Sequence, residues 1–153
     1  MSILYCSFIY QGDRLKLPAY FTMLILECVV NSLLVLDDEH VVRQSFADYF
    51  EDNLWRVIQA ETAEQALQIL EEEKPCAALV DIRLPGIDGN MFIREAIERK
   101  LNMAFIICSG SPSYNVPLDL QQHMNVSSTF FRKPVANFEA LEQDVIQTIK
   151  MAS

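Results

Sequence analysis

From residue 32 onward, short apolar runs alternate with segments of helical periodicity, and this alternation is what most constrains the fold of the chain. The strand-like runs are residues 32–36, 54–60, 77–80, 105–108 and 129–131. Strands that alternate with helices without long interruptions form a parallel sheet with helices on both faces, and the crossovers between them are right-handed. The pattern therefore predicts a doubly wound α/β domain of five strand–helix units.

Apolar residues at helical spacing, together with capping signals, predict the helices. The first begins after Glu39. Thr62 and Gln65 form a capping box that opens the second, which ends before Pro75. The others are predicted over residues 90–100, 118–124 and 138–151. The residues predicted to face the core are Val42, Phe46, Tyr49, Phe50, Ala66, Leu67, Ile69, Leu70, Met91 or Phe92, Ile93, Ala96, Ile97, Phe138, Leu141, Val145 and Ile149.

The most informative single segment runs from residue 77 to residue 89. Its first residues are small or apolar without alternation, which is typical of a strand buried on both faces. This strand delivers one carboxylate, Asp81, to its C-terminal end, and Pro85-Gly86 then breaks it. In an open parallel sheet, ligands bind at that edge. Asp81 alone is a weak indication of function, because many strands end on a solvated carboxylate.

Three further strands end in residues that carry chemistry, namely Asp37 and Asp38, Ser109 and Gly110, and Lys133. In one parallel sheet these strand ends meet around a single crevice. Clustered carboxylates repel one another unless a charge neutralises them, and the usual agent is a hard cation such as Mg²⁺. The hydroxyl and the ammonium are suited to phosphate oxygens. The combination predicts a site for Mg²⁺ and a phosphoryl group.

These residues resemble the receiver domain of two-component response regulators. The resemblance covers residues 32 to about 150. It rests on the sequence Asp-x-x-Leu-Pro-Gly-x-Asp-Gly from Asp81 to Gly89, on Lys133-Pro134 after an aromatic strand, and on the spacing of the strand-end residues. It implies a flavodoxin-like (βα)5 fold, a three-layer sandwich whose parallel sheet has the strand order 2-1-3-4-5.

The resemblance implies that Asp81 is the phosphoacceptor. Its carboxylate would attack the phosphohistidine of a sensor histidine kinase or of a phosphotransfer protein. Asp37, Asp38, Asp81 and the backbone carbonyl of Arg83 would bind Mg²⁺, with Mn²⁺ as the alternative ion. The alternative interpretation of Asp37 and Asp38 is a carboxylate pair at a helix N-terminus, where the helix dipole favours negative charge.

The remaining roles also follow from the resemblance. Ser109 would donate a hydrogen bond to the phosphoryl group, Gly110 would leave room for it, and Lys133 would balance its charge. The bond before Pro134 is a candidate cis peptide. Phe130 stands where the family often has a switch tyrosine, so a rotamer switch of this side chain would work through packing alone. The alternatives are an exposed strand-end lysine for Lys133 and a plain core aromatic for Phe130.

Composition limits the partners and the compartment. The chain has 21 acidic and 12 basic residues, a net charge of −9, which argues against nucleic acid as a direct partner. The four cysteines lack Cys-x-x-Cys spacing, and Cys76 and Cys108 lie in or beside predicted strands as small apolar residues. We therefore expect a reducing, cytoplasmic location. The two histidines, His40 and His123, do not suggest a zinc site.

Residues 1–31 precede the pattern and are expected to form an extension to a receiver domain of residues 32–153. The alternatives are an added strand or helix, or a start codon placed too early, with Met23 as the true start. Residues 17–36 are nearly all apolar and about as long as a membrane span, roughly 20 residues. However, the end of this segment is the strand that leads to Asp37, and one segment cannot serve both purposes.

Three other functions fit these residues less well. A haloacid-dehalogenase-like phosphatase needs a second aspartate where the chain has Arg83. A receiver-like interaction module that is not phosphorylated would be favoured by the loss of an acidic residue or of Lys133, and the full set is present. A flavodoxin-type flavin binder would need a Ser, Thr or Gly loop in place of Asp37 and Asp38. We therefore expect a signalling phosphoacceptor rather than an enzyme, limited to self-catalysed phosphotransfer and slow autodephosphorylation.

The output is expected to act through protein contacts. The chain ends shortly after the last predicted helix, so it is either a stand-alone receiver or the receiver of a longer regulator. Residues 118–124 and 138–149 would form a face that docks a downstream effector protein or a second copy of the chain.

Overall fold

The computed structural model describes residues 31–152, and the predictions for residues 1–30 lie outside them. Within the described residues, strands and helices alternate strictly. The strands are β1 (Ser32–Leu36), β2 (Arg56–Ala60), β3 (Ala77–Asp81), β4 (Ala104–Ser109) and β5 (Val126–Arg132). The helices are α1 (His40–Asp52), α2 (Ala63–Ile69), α3 (Gly89–Glu98), α4 (Leu118–Gln121) and α5 (Phe138–Ala152). None of these helices is long and apolar enough to span a membrane.

The strands form one sheet in the order β2-β1-β3-β4-β5, and every neighbouring pair is parallel. β1 lies between β2 and β3, with Leu33 opposite both Val57 and Ala77. The chain therefore reverses its winding direction after β2. The predicted flavodoxin-like doubly wound fold and its strand order are confirmed.

The sheet has a hydrophobic core on each face. β1, β3 and β4 are buried along their whole length, so each contributes to both cores. Leu34 and Leu36 pack in the core beneath α2 and α3, whereas Leu33 and Val35 pack in the core beneath α1 and α5. This burial on both faces explains why these strands show no alternation in the sequence.

The helices bury the faces that their periodicity predicts. In α3, Phe92 and Ile93 are buried and Met91 is exposed, which decides the choice between Met91 and Phe92. The other predicted core residues are either fully buried or partly buried against one of the two cores. In α2, the Thr62 hydroxyl accepts from the Gln65 N–H as predicted. The Gln65 side chain, however, accepts from the N–H of Glu61 rather than from that of Thr62.

β5 begins at Val126, three positions before its predicted start at Thr129. The sequence did not predict this start because the two serines after Val126 are polar and lie in a bulge. Val126 pairs with Phe105 and Phe130 pairs with Ile107, so the residues between them bulge out of the ladder. The buried Ser127 hydroxyl accepts from the Thr129 N–H there, at 3.1 Å. The hydroxyl thus replaces the backbone partner that the bulge removes.

α4 is shorter than the predicted helix over residues 118–124. The N–H groups of Gln122 and His123 donate to the carbonyls of Asp119 and Leu120, three residues back. This tight final turn ends the helix after Gln121. Only Leu120 of α4 is buried, so little apolar surface is available to extend it.

Candidate functional site

Three carboxylates meet at the C-terminal edge of the sheet. Asp37 follows β1, Asp38 is next to it, and Asp81 is the last residue of β3. One oxygen from each lies within 4.8 Å of the others. Asp37 and Asp81 are buried, and Asp38 is exposed. An all-oxygen donor set that is open on one side fits a hard cation that keeps some of its water, so these residues suit Mg²⁺.

The loop after β1 is fixed by its own hydrogen bonds. The Asp37 N–H donates to the carbonyl of Ala60 and extends the pairing with β2. The Asp37 carboxylate accepts from the Glu39 N–H at 3.0 Å. The buried guanidinium of Arg43 donates to the carbonyl oxygen of Asp37. This contact could not be predicted from the sequence, because Arg43 lies in the polar half of an ordinary helix pattern.

Lys133 joins the two buried carboxylates. Its Nζ lies 2.6 Å from Oδ2 of Asp37 and 2.7 Å from Oδ2 of Asp81. The side chain of Lys133 is only 9% exposed, and its N–H donates to the carbonyl of Ser109. The structure therefore places Lys133 in the acidic cluster and not on the surface as an isolated strand-end lysine.

Burial and pairing act against each other on these charges. Burial raises the pKa of Asp37 above its ordinary value, and the hydrogen bond from Lys133 only partly offsets this. Burial also disfavours the charged form of Lys133, but its bonds to Asp37 and Asp81 outweigh that effect and raise its pKa. The ammonium is thus held charged between two carboxylates that form no other salt bridge among the described residues.

The turn after β3 packs against the backbone of Asp81. The Asp81 carboxylate accepts from the N–H of Arg83 at 3.1 Å. Gly86 has a φ of +77°, which favours glycine at this position of the turn. A Cβ on Gly89 would lie 2.1 Å from the carbonyl oxygen of Asp81, so only glycine fits there. The role of the Arg83 carbonyl stays a prediction.

Ser109 and Gly110 lie at the end of β4, where the sequence places them. Ser109 is fully buried, and its hydroxyl accepts from the N–H of Ser111 at 3.2 Å. A Cβ on Gly110 would have no neighbour within 4 Å. Nothing in the resting structure thus requires glycine at residue 110, and its role beside a phosphoryl group stays a prediction.

The peptide bond between Lys133 and Pro134 is cis, as the resemblance implies. Phe130 is partly buried and makes an edge-to-face contact with Tyr114, with ring centroids 5.4 Å apart. The Tyr114 hydroxyl donates to Oδ1 of Asn90 at 2.8 Å. Burial raises the pKa of Tyr114 to about 12, so its hydroxyl keeps its proton at neutral pH. The sequence did not predict either contact of Tyr114.

A groove of about 670 Å³ opens beside the acidic cluster. The charged residues of its wall are Asp38, Glu39, Asp81, Arg83 and Lys133. The rest of its wall is largely apolar and comes from α1, from the loop after β5 and from the start of α5, with Val42, Phe46, Pro134, Val135 and Phe138. The site is therefore accessible from solvent on one side.

Comparison with known proteins agrees with this geometry. The family model of the response regulator receiver domain matches residues 33–145. The positive alginate biosynthesis regulatory protein of Pseudomonas aeruginosa is 29% identical over 126 residues, 80% of this chain and 47% of that protein. The chemotaxis protein CheY of Bacillus subtilis is 25% identical over 95 residues, 61% of this chain and 79% of that protein. The matches to the first relatives span about half of their length or less.

Solved structures share the fold. A CheY-like receiver domain protein from Methanospirillum hungatei has a TM-score of 0.67 at 23% identity, covering 80% of this chain and 96% of the other. The response regulator TrrA from Thermotoga maritima, in complex with Mg²⁺ and BeF, has a TM-score of 0.67 at 22% identity, covering 78% of this chain and 99% of the other. The match to the family model covers most of the chain, and the fold and the acidic cluster agree with it. The chain therefore belongs to the response regulator receiver domain family.

Proposed function

We propose that Asp81 is the phosphoacceptor of this receiver domain and that it accepts a phosphoryl group from the phosphohistidine of a sensor histidine kinase or a phosphotransfer protein. The observation that carries the proposal is the position of Lys133, whose ammonium contacts the carboxylates of both Asp37 and Asp81. Such a cation beside a strand-end carboxylate is suited to balance the charge of an incoming phosphoryl group.

In the proposed step, one Asp81 carboxylate oxygen attacks the phosphorus, and the bond between phosphorus and the donor imidazole nitrogen breaks. The imidazole leaves with the bonding electron pair, and an acyl phosphate remains on Asp81. Lys133 then contacts a phosphoryl oxygen in place of the carboxylate oxygen that has reacted. Ser109 ends β4, the strand next to β3, and its hydroxyl would donate to another phosphoryl oxygen.

Asp37, Asp38 and Asp81, with the Arg83 carbonyl, would hold Mg²⁺, and Mn²⁺ is the alternative ion. The bound ion would neutralise charge on the phosphoryl oxygens during transfer. The solved T. maritima neighbour carries Mg²⁺ and BeF, which supports the same ligand class for this site. The carboxylates of Asp37 and Asp38 would hold the ion, and its charge would offset the repulsion between them.

The proposed role in the cell is signalling. The phosphorylated domain would contact a downstream effector protein, or a second copy of the chain, through the face formed by α4, β5 and α5. Its catalysis would be limited to its own phosphorylation and slow autodephosphorylation. The net charge of −9 disfavours direct contact with nucleic acid, and the free thiols of Cys76 and Cys108 fit a cytoplasmic location.

Acetyl phosphate, a small phosphodonor, tests the proposal without a partner kinase. Intact-mass spectrometry of the full chain should show one added phosphoryl group with Mg²⁺ and none with a chelator. Asp81→Asn should abolish the addition. Asp88→Asn is the matched control, because Asp88 caps α3 through the Met91 N–H and an asparagine preserves this cap. Undiminished phosphorylation of the Asp81→Asn variant would contradict the assignment.

A further inference from the structure

Tyr114, in the loop that joins β4 to α4, contacts two other elements with one side chain. Its ring packs edge-to-face on Phe130 of β5, and its hydroxyl donates to Asn90 at the start of α3. Both aromatic rings are partly buried against the core on that face of the sheet. Tyr114 therefore ties the loop that follows Ser109 both to β5 and to α3.

The acceptor of this bond lies next to the phosphoacceptor. Asn90 directly follows Gly89, whose Cα packs so closely on the Asp81 carbonyl that no side chain fits between them. The Gly89 N–H also donates to the carbonyl of Ile82, which follows Asp81. A rearrangement of the backbone at Asp81 therefore moves Gly89 and Asn90 with it, because close-packed atoms cannot yield independently.

A second side-chain link runs beside the first. Arg94 of α3 makes two bonds to the carboxylate of Asp119 in α4, at 2.7 and 3.1 Å. Both side chains are about half exposed, so water and salt screen this pair and its contribution to stability is small. The half-buried bond between Tyr114 and Asn90 is the stronger constraint on the position of the loop.

We propose that the Tyr114–Asn90 hydrogen bond is a latch that holds the β4–α4 loop and α4 against α3 in the resting state and is released when Asp81 is phosphorylated. This inference rests on the proposed function, and it connects Asp81 to α4 through Gly89 and Asn90. Tyr114 acts in it as a positioning residue. Its ring stays beside Phe130, which has no hydroxyl of its own.

The latch predicts the direction in which variants act. A bond present only in the resting state disfavours the released state, so its removal shifts the equilibrium toward release. A neutral hydrogen bond of this kind corresponds to a shift of about three- to tenfold. Any ligand of the phosphorylation site that favours release should then bind more tightly by the same factor.

Tyr114→Phe removes the hydroxyl and keeps the ring on Phe130, and Asn90→Ala removes the acceptor of the same bond. Both variants, their combination and Asp119→Asn as the control are titrated with beryllofluoride at saturating Mg²⁺, and backbone amide shifts are recorded. Amides of the loop after Asp81 report binding, and amides of residues 116–122 report the response of α4.

In Tyr114→Phe, the amides of residues 116–122 should lie part of the way to their beryllofluoride-bound positions before any ligand is added. Its dissociation constant for beryllofluoride should be about three- to tenfold lower than that of the wild type. Asn90→Ala should act alike, and the double variant should add nothing, since both changes remove one bond. Asp119→Asn should stay within about twofold of the wild type.

Unchanged shifts and an unchanged dissociation constant in Tyr114→Phe would overturn the latch, and so would weaker beryllofluoride binding, which would place the bond in the activated state. A wild type that does not bind beryllofluoride would contradict the proposed function instead. Amide hydrogen exchange without ligand separates failure of the latch from failure of the proposed function. If the latch exists, exchange at residues 116–122 should be about three- to tenfold faster in Tyr114→Phe than in the wild type, whether or not beryllofluoride binds. A merely structural role would lower stability without tightening beryllofluoride binding.

Discussion

Replacing Lys133 by methionine removes the one ammonium that joins Asp37 to Asp81 and keeps an unbranched side chain of similar length. Lys133 is 9% exposed, and the two carboxylates are 2% and 4% exposed, so solvent screens the three charges poorly. Removing one partner of a buried ion pair costs about 3–5 kcal/mol, because the remaining charge is left without compensation. The groove beside the site admits some water, so we expect a loss of about 3 kcal/mol of unfolding free energy at neutral pH in chelator.

Urea denaturation measures this loss. Trp55 is the only tryptophan in the sequence, and its burial makes its fluorescence a probe of unfolding. Lys150→Met is the control, because Lys150 is exposed in the last turn of α5. With Mg²⁺ present, the Lys133→Met variant should gain more stability than the wild type, since a cation then replaces the missing ammonium.

The pH dependence of the variant has a defined sign. Burial raises the pKa of Asp37 above its ordinary value of 3.8, so the folded chain binds this proton more tightly than the unfolded chain does. Stability therefore falls as pH rises from 3.8 through the folded pKa. Without Lys133 this pKa rises further, and the deficit of the variant should shrink as pH is lowered from neutrality. A variant as stable as the wild type in chelator at neutral pH would refute the reasoning.

Three further predictions follow from the packing and charge of the same domain. Gly89→Ala should lower the unfolding free energy by more than about 2 kcal/mol, because the added Cβ would overlap the carbonyl oxygen of Asp81 at the end of β3. Gly110→Ala is the control and should change the unfolding free energy by less than about 1 kcal/mol in the same urea titration. Glu142→Ala should lower the unfolding free energy by about 1–3 kcal/mol and shift Trp55 emission to longer wavelength, because Glu142 accepts the hydrogen bond of the Trp55 indole N–H at 2.8 Å. Gln143→Ala, on the exposed side of α5, should change neither the unfolding free energy nor the emission. Saturating Mg²⁺ should raise the melting temperature of the wild type relative to chelator, and identical melting curves would argue that the acidic cluster binds no metal.

The sequence predicted the fold because each buried strand carries a pattern that leaves few alternatives. The apolar run of β3 is buried on both faces, as predicted, and the runs of β1 and β4 are buried in the same way. Because their C-terminal ends share one edge of the sheet, the meeting of Asp37, Asp38 and Asp81 also followed from the strand positions alone. The cis bond before Pro134 came from the resemblance, since no local pattern specifies it.

The sequence could not predict features that depend on contacts across elements. The polar start of β5 looks like loop, because the bulge that makes it a strand is defined by its pairing with β4. The bond from Arg43 to the Asp37 carbonyl and the bond from Tyr114 to Asn90 join residues whose neighbours in sequence give no hint of the partner. Lys133 was expected beside a phosphoryl group, and the structure adds that it bridges two carboxylates at rest.

The most direct test of the central claim locates the phosphoryl group chemically. The chain is treated with acetyl phosphate and Mg²⁺ and then reduced with borohydride, which converts an acyl phosphate on aspartate to homoserine. Fragmentation of the peptides that contain residues 37–38 and residues 77–88 then identifies the modified position. We predict homoserine at residue 81 alone, with Asp37 and Asp38 intact. Homoserine at residue 37 or 38, or a modification at residue 88, would contradict the assignment of Asp81 as the phosphoacceptor.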